Sequence, residues 1–469
     1  MKRLFILTVL VISVLGCNTS ENSCGQAFIG GEIINPNHDF LVLKRDTSPI
    51  DTLYLDENNR FAYRVESLDP GIHSIVHGDE YQIIILEPND SLMVRLNTLD
   101  FDESLVFSGA GAKKNNYLID LFLEMEEEER MVYNFRKLSP DEFVIKIDSM
   151  KEDKYTRLDK FTQKYGSSDF FEKVVTVGIN YNHFTHKEQY PYRHFGMNKP
   201  IPIEELPEGY FDFRNAINYN DEELKDYYPY YAFLFNHFNN LACEKYFDET
   251  EASYLDRMNI DYHLNKLDLI NDNVSNEVLK NILLKYPTIN FLSFCNSTQD
   301  AEAMYSSYVD KNTNEENTIH VEGLYNTLKR LNPGNKLPVV EVLNHKNEAT
   351  TLNNISNNPK VLYFWTSVNK YHFKNSHNKV KELRVAYPDI DFIAININSN
   401  NAPVWKRLIK DNNFDFNYEY RFRDPKIAKK MLAIRYINKV IVLDRYNTIV
   451  SSNANLFNYD FSDILEELK

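Results

Sequence analysis

The chain has 469 residues, with 52 Lys plus Arg against 68 Asp plus Glu, for a formal net charge of −16. Such a length exceeds one compact domain, and an acidic balance without a basic tract excludes a general nucleic-acid binder that relies on phosphate contacts. At 43% hydrophobic and 13% aromatic residues there is ample material for packed cores, whereas 14 glycines and 4 cysteines leave little scope for glycine-rich phosphate loops, a disulfide framework or a zinc ribbon.

Lys2 and Arg3 precede an apolar run over residues 4–15. A spanning helix needs about 20 apolar residues, so residues 1–16 read as a signal peptide. The junction Val14-Leu15-Gly16-Cys17 resembles the lipobox of bacterial lipoproteins, although Leu15 is bulkier than the residue usual there. That resemblance implies lipidation of Cys17, with the membrane held through the lipid anchor and residues 17–27 as a tether. Asn18, where an aspartate would signal otherwise, points to the outer membrane of the cell envelope. An ordinary signal peptide with a chance cysteine is the alternative. Cys24, Cys243 and Cys295 then remain, an odd number with no C-x-x-C. Cys243 and Cys295 read as small buried hydrophobes, with a disulfide between them as the alternative.

Residues 28–112 show short alternating runs broken by turn signals. Leu53 and Leu55 precede Asp56-Glu57-Asn58-Asn59, and Phe61, Tyr63 and Val65 follow it, which predicts a hairpin. Further runs at 72–76, 81–86 and 92–96 predict six or seven strands in a small β-sandwich. Together with the segment FSGAGAKKNNYL, this stretch resembles the N-terminal domain of unknown function that precedes thioredoxin-like domains in lipoproteins of the Bacteroidota.

Residues 113–331 read as an α-helical region. Ser139-Pro140-Asp141-Glu142 is a capping box with proline in the first turn, and Gly166 is the matching stop. Asn220, Ser275 and Asn314 are further start signals, and an irregular loop is expected between His194 and Phe213. The acidic run from Glu124 to Glu129 reads as a solvated helix face, because consecutive helical positions point in different directions. His183 and His186, spaced i, i+3, could share a metal, but with no third ligand in view no metal is assigned.

Residues 332–469 follow the break Asn332-Pro333-Gly334. Strands are predicted at 337–342, 360–365 and 392–396, helices at 370–387 and 403–411, then a strand pair at 439–444 and 448–452 and a last helix near Phe461. Strand, helix, strand, helix and hairpin make a mixed sheet covered by helices. The order and the pair Phe364-Trp365 resemble a thioredoxin-like domain of the TlpA type. The resemblance places a C-x-x-C at Asn369 and His372 and a cis-proline at Asn438, so Trp365, Asn369, His372 and Asn438 mark a vestigial thioredoxin site. Disulfide exchange needs a thiolate, and this region contains no cysteine. A non-proline cis peptide costs roughly 2.5–4 kcal/mol, so a trans peptide is expected at Asn438. His372, at a helix N-terminus, is expected to stay neutral and to be a polar surface residue without a partner.

The expectation is therefore a multidomain, membrane-anchored lipoprotein with a redox-inactive thioredoxin-like domain. It would serve as a protein- or peptide-binding or structural module of the envelope, without cofactor or catalytic residue. The alternative is a thiol-disulfide oxidoreductase, or its accessory subunit, that uses Cys24, Cys243 or Cys295.

Overall fold

The computed structural model describes residues 25–45, 48–225, 227–398 and 402–468. The expected signal peptide, Cys17 and Cys24 lie outside the described residues. The chain forms two compact units, one comprising residues up to Phe135, Ile145–His183 and Glu223–Tyr230, the other Arg136–Val144, Phe184–Glu222 and everything from Tyr231 onward.

The first unit begins with β1 (Gly25–Ile34), β2 (Phe40–Arg45), β3 (Ser48–Tyr54), β4 (Arg60–Leu68), β5 (Gly71–His77), β6 (Glu80–Leu86), β7 (Ser91–Asn97), the short helix α1 (Phe101–Ser104) and β8 (Val106–Ala110). They make two four-stranded sheets, β4-β1-β7-β8 and β3-β2-β5-β6. Ile29, Val65, Leu92 and Val94 of one sheet share a buried core with Leu41, Leu53, Ile75 and Ile84 of the other, so the architecture is a sandwich. The hairpin expected around Asp56 is not formed, because β3 and β4 belong to different sheets. The turn is tight, with Asp56 Oδ1 accepting from the backbone N–H of Asn58 at 2.8 Å and of Arg60 at 2.9 Å. It carries the chain across the sandwich instead of back along one sheet. Alternation alone could not separate the two cases, since a strand in either sheet turns the same side chains to a shared core.

Helix α2 (Ala112–Asn134) then closes both sheets. The Asn115 amide donates to Ile85 O at 3.0 Å and its Oδ1 accepts from Ile85 N–H at 2.8 Å, on the outer side of β6. Asn116 does the same to Phe107 of β8, at 2.9 Å in both directions. Each side chain thereby stands in for a neighbouring strand. In the acidic run, Glu128 departs from the expected solvated face, being buried against Lys154 in an ion pair. The i, i+4 geometry that exposes its neighbours turns this one position inward.

Helices α3 (Pro140–Tyr165) and α4 (Asp169–Phe195) contribute to both units. The capping box is present, with Ser139 N–H donating to Glu142 Oε2 at 3.0 Å. Gly166 follows at φ +71°, a left-handed conformation that glycine adopts without strain. The second unit continues with α5 (Tyr228–Thr250), α6 (Ile260–Asn273), α7 (Glu277–Phe294), α8 (Thr298–Lys311) and α9 (Glu315–Arg330). Asn314 caps α9 as expected, while Asn276 rather than Ser275 caps α7. Asn220 opens no α-helix. Its side chain instead accepts from the backbone N–H groups of Ser275 at 2.6 Å and Asn276 at 3.0 Å, so the capping residue is spent on a tertiary contact.

The last part comprises β9 (Glu341–Leu343), β10 (Ala349–Thr351), β11 (Lys360–Trp365), α10 (Lys370–Ala386), β12 (Asp391–Asn396), α11 (Ala402–Asp411), β13 (Glu419–Phe422), α12 (Pro425–Met431), β14 (Val440–Leu443), β15 (Ile449–Ala454) and α13 (Phe461–Glu466). The sheet order is β10-β9-β13-β12-β11-β14-β15. Strands β11, β12 and β13 run parallel and β14 antiparallel to β11. The central β12-β11-β14-β15 order, with helices after β11, β12 and β15, is a thioredoxin-like arrangement. Every residue of β11 is buried, as a central strand covered on both faces requires. Sequence reading left β13 and α12 unassigned, since a four-residue strand and a seven-residue helix are too short for a period to show. No helix among the described residues is long and apolar enough to cross a membrane.

Candidate functional site

Strand β11 ends at Trp365, and the chain turns through residues 366–368 into α10. Asn369 is the N-cap of that helix, its Oδ1 accepting from His372 N–H at 3.0 Å, while its own N–H donates to Thr366 Oγ1 at 3.2 Å. The two residues therefore sit one turn apart at a helix N-terminus, joined by the cap itself. The peptide before Asn438 is trans, as are all peptides among the described residues.

His372 is not the surface residue expected. It is only 8% exposed, and its Nε2 lies 3.1 Å from Ser376 Oγ, one turn further along α10. Burial pushes its pKa below the ordinary imidazole value, the neighbouring His377 pushes the same way, and Asn438 opposes them. Ser376 is itself fully buried, so the hydroxyl beside this imidazole is closed to a substrate.

Beneath it lies a second pair that sequence reasoning missed. His377 Nδ1 is 2.7 Å from Phe373 O and its Nε2 is 2.9 Å from Glu419 Oε1. The ring stacks on Phe414 at 3.9 Å between centroids, and Tyr363, Trp365 and Phe373 present edges to it. A carbonyl only accepts, so Nδ1 carries a proton, and the Nε2 to carboxylate contact then needs one more proton on one side or the other. Burial pushes the Glu419 carboxyl up, outweighing His377, Arg384 and Trp365, which favours the carboxyl as the holder. Trp365 Nε1 and Glu419 Oε2 form no hydrogen bond of ordinary geometry. Glu419 is 42 residues from His377 and on an unassigned strand. The only sequence signal for it was the aromatic-charged alternation of Tyr418-Glu419-Tyr420-Arg421-Phe422.

A contrasting network lies in the helical part of the same unit. Glu188 of α4, fully buried, accepts from Arg214 Nε at 2.9 Å and Nη2 at 2.8 Å, from His237 Nδ1–H at 2.7 Å and from Asn240 Nδ2 at 2.7 Å. Arg214 also reaches Glu244 with two bonds of 3.0 Å, and the Tyr219 hydroxyl lies 2.8 Å from His237 Nε2. Burial alone would raise the Glu188 carboxyl. The bonds from His237 and Arg214 and the guanidinium charge overcome it and hold the group below its ordinary value.

Cys243 and Cys295 are both free, which removes the alternative of a disulfide between them. Cys243 is buried as expected, but Cys295 is partly exposed at the end of α7, its thiol donating to Ser297 O at 3.2 Å. Burial raises both thiols above the ordinary value, the opposite of what a nucleophilic thiolate needs. His183 pairs with Asp148 at 2.7 Å, His186 is buried, and no group of three metal-ligating side chains occurs among the described residues.

No protein-family profile matches the chain, and no curated protein sequence does. Among solved structures, similarity is found to a thiol-disulfide oxidoreductase from Bacteroides fragilis, at 19% identity and TM-score 0.25, over 29% of this chain and 99% of that one. The thioredoxin domain of a thiol-disulfide oxidoreductase from Bacteroides vulgatus matches at 16% identity and TM-score 0.25, over 29% of this chain and 97% of that one. A thiol:disulfide interchange protein from a Bacteroides species matches at 15% identity and TM-score 0.26, over 29% and 90%.

Proposed function

We propose that the chain is a lipid-anchored protein of the cell envelope whose thioredoxin-like region has lost disulfide chemistry and serves as a binding or structural module for a protein or peptide. The observation that carries this reading is the N-terminus of α10. Asn369 and His372 stand where two thiols would be needed, and both are engaged in capping the helix, with the imidazole buried and biased to its neutral form. Neither an amide nor an imidazole can form a mixed disulfide. The raised thiols of Cys243 and Cys295 supply no substitute. The anchor rests on the Gly16-Cys17 junction of the sequence, and intact mass of membrane-extracted protein tests it. Cleavage before Cys17 with acyl chains added is expected, and a Cys17→Ala variant that stayed on the membrane would remove the anchor.

The activity test is reduction of a disulfide substrate by the full chain with excess dithiothreitol. No acceleration over dithiothreitol alone is expected. Acceleration lost on Cys295→Ser or Cys243→Ser would replace this reading with a thiol-disulfide oxidoreductase. The placement of the site has its own test. In the Asn369→Cys, His372→Cys variant the new thiols lie one helical turn apart, within the ~4.4–6.8 Å backbone separation a disulfide accepts. They should oxidise under mild oxidant, and thiols that stayed reduced in a folded variant would show the site to be misplaced.

A further inference from the structure

Residues 332–469 contain 20 Lys plus Arg and 14 Asp plus Glu, a balance of +6 in a chain whose total is −16. Part of this excess is gathered at one place. Lys285 of α7 reaches across to α9, its Nζ donating to Asn317 Oδ1 at 2.6 Å. His320 lies three residues further along α9, on the same side of that helix. Helix α12 packs against α9 and brings Lys430, and the loop after α12 brings Arg435. That loop is pinned by the next residue, since Tyr436 stacks on Phe294 at the end of α7 with ring centroids 4.4 Å apart.

Four basic side chains from three helices and a loop thus converge. The fields on His320 come from Lys285, Arg435 and Lys430 on one side and from Glu316 on the other. His320, Lys430 and Arg435 are exposed. Among the described residues no carboxylate forms an ion pair with Lys285, Lys430 or Arg435, whereas carboxylates elsewhere in the chain are paired with Arg45, Lys114, Lys154, Arg157 and Arg214. A convergence of like charges opposes folding unless something negative is bound there.

We propose that Lys285, His320, Lys430 and Arg435 form a binding site for a phosphate-type oxyanion. The guanidinium supplies a planar fork for two oxygens and the lysines supply point charges. The imidazole tunes the site. Partial desolvation of the ring, which keeps an open edge, and the three cations hold His320 below its ordinary pKa, favouring the neutral form near pH 7 and a fourth charge on acidification. Because a bound anion favours the protonated ring, affinity rises as pH falls.

Isothermal titration of the full chain with inorganic pyrophosphate at low ionic strength tests this. Saturable binding is expected, weakened about tenfold or more by Lys430→Glu with Arg435→Glu and by less with Lys430→Gln. Since these changes relieve repulsion, thermal unfolding of the variants should stay level or rise, which separates loss of the site from loss of the fold. His320→Gln should keep binding at pH 7 but abolish its strengthening at lower pH. Vesicles of phosphatidylglycerol in phosphatidylcholine form the second arm. Co-sedimentation lost in the double variant would identify a lipid headgroup as the source, and pyrophosphate binding without co-sedimentation would identify a free phosphate ester. Absence of binding in both arms, or binding indifferent to the double variant, would overturn the proposal.

Discussion

The two buried histidine–glutamate pairs are alike in contact distance and opposite in electrostatics. Glu188 meets His237 at 2.7 Å and Glu419 meets His377 at 2.9 Å, both carboxylates lying almost wholly out of solvent. Glu188 is held below its ordinary pKa and Glu419 above it. The difference is Arg214, which forks onto Glu188 and continues to Glu244, whereas Arg384 reaches Glu419 only through its field. The other ring nitrogen follows suit. His237 Nε2 faces the hydroxyl of Tyr219, a group that can donate, so a neutral imidazole satisfies every contact. His377 Nδ1 faces a carbonyl, and the pair must hold an extra proton. What lies beyond a carboxylate–imidazole contact, on both sides, decides where its proton resides.

The largest effect is expected from removing that cation. Arg214→Met removes the guanidinium that both Glu188 and Glu244 share, leaving Glu188 only its bonds from His237 and Asn240, and breaking a buried ion pair from one side costs about 3–5 kcal/mol. Denaturant unfolding should show a loss of that size, and a loss below about 1 kcal/mol would mean that the guanidinium does not set the state of Glu188. Next comes Glu188→Gln, with an expected cost of about 2–3 kcal/mol near neutral pH. A carboxyl whose folded pKa is depressed stabilises above its unfolded value of about 4.3, and that contribution is lost as pH falls through the folded value. The penalty of Glu188→Gln should therefore shrink on acidification, which unfolding curves between about pH 6 and pH 3 would register.

The smallest effect is expected at the other pair. Glutamine mimics a protonated carboxyl, so Glu419→Gln can still donate to His377 Nε2, and near pH 5 it should change stability by less than about 1 kcal/mol. A raised folded pKa makes the wild-type contribution full below about pH 4.3 and lost as pH rises through the folded value. The variant should accordingly gain on the wild type between about pH 5 and pH 8. A penalty growing with pH would place the extra proton on His377 with Glu419 ionised.

Much of the thioredoxin-like region could be read from residues close together in sequence. The buried run of β11 and the break at Asn332-Pro333-Gly334 are local signals, and the strands and helices they bound lie within a few residues of their expected places. The site beneath the cap could not be read the same way. His377 and Glu419 meet only because β13 lies beside β12, and Arg214 reaches Glu188 from a stretch of short turns where no periodicity operates. Which sheet receives β3 or β4 is equally non-local. Alternation fixes the face of a strand but not its neighbour. The burial of His372 has no local signal, because a helix N-terminus is usually solvated, whereas here the ring lies against Ser376 and among His377 and Asn438.

The paired amides of Asn115 and Asn116 have a bearing on how the N-terminal part can be handled. Strands β6 and β8 are outer strands of their sheets, and each is met by a side chain from the first turns of α2. A fragment ending at residue 111 would leave the backbone of Ile85 and Phe107 open at two sheet edges, and such edges recruit strands from other molecules. Dissection of this protein should therefore cut after α2. The helix is a closing clasp of the sandwich, and a shorter fragment would emerge from the ribosome ready to self-associate.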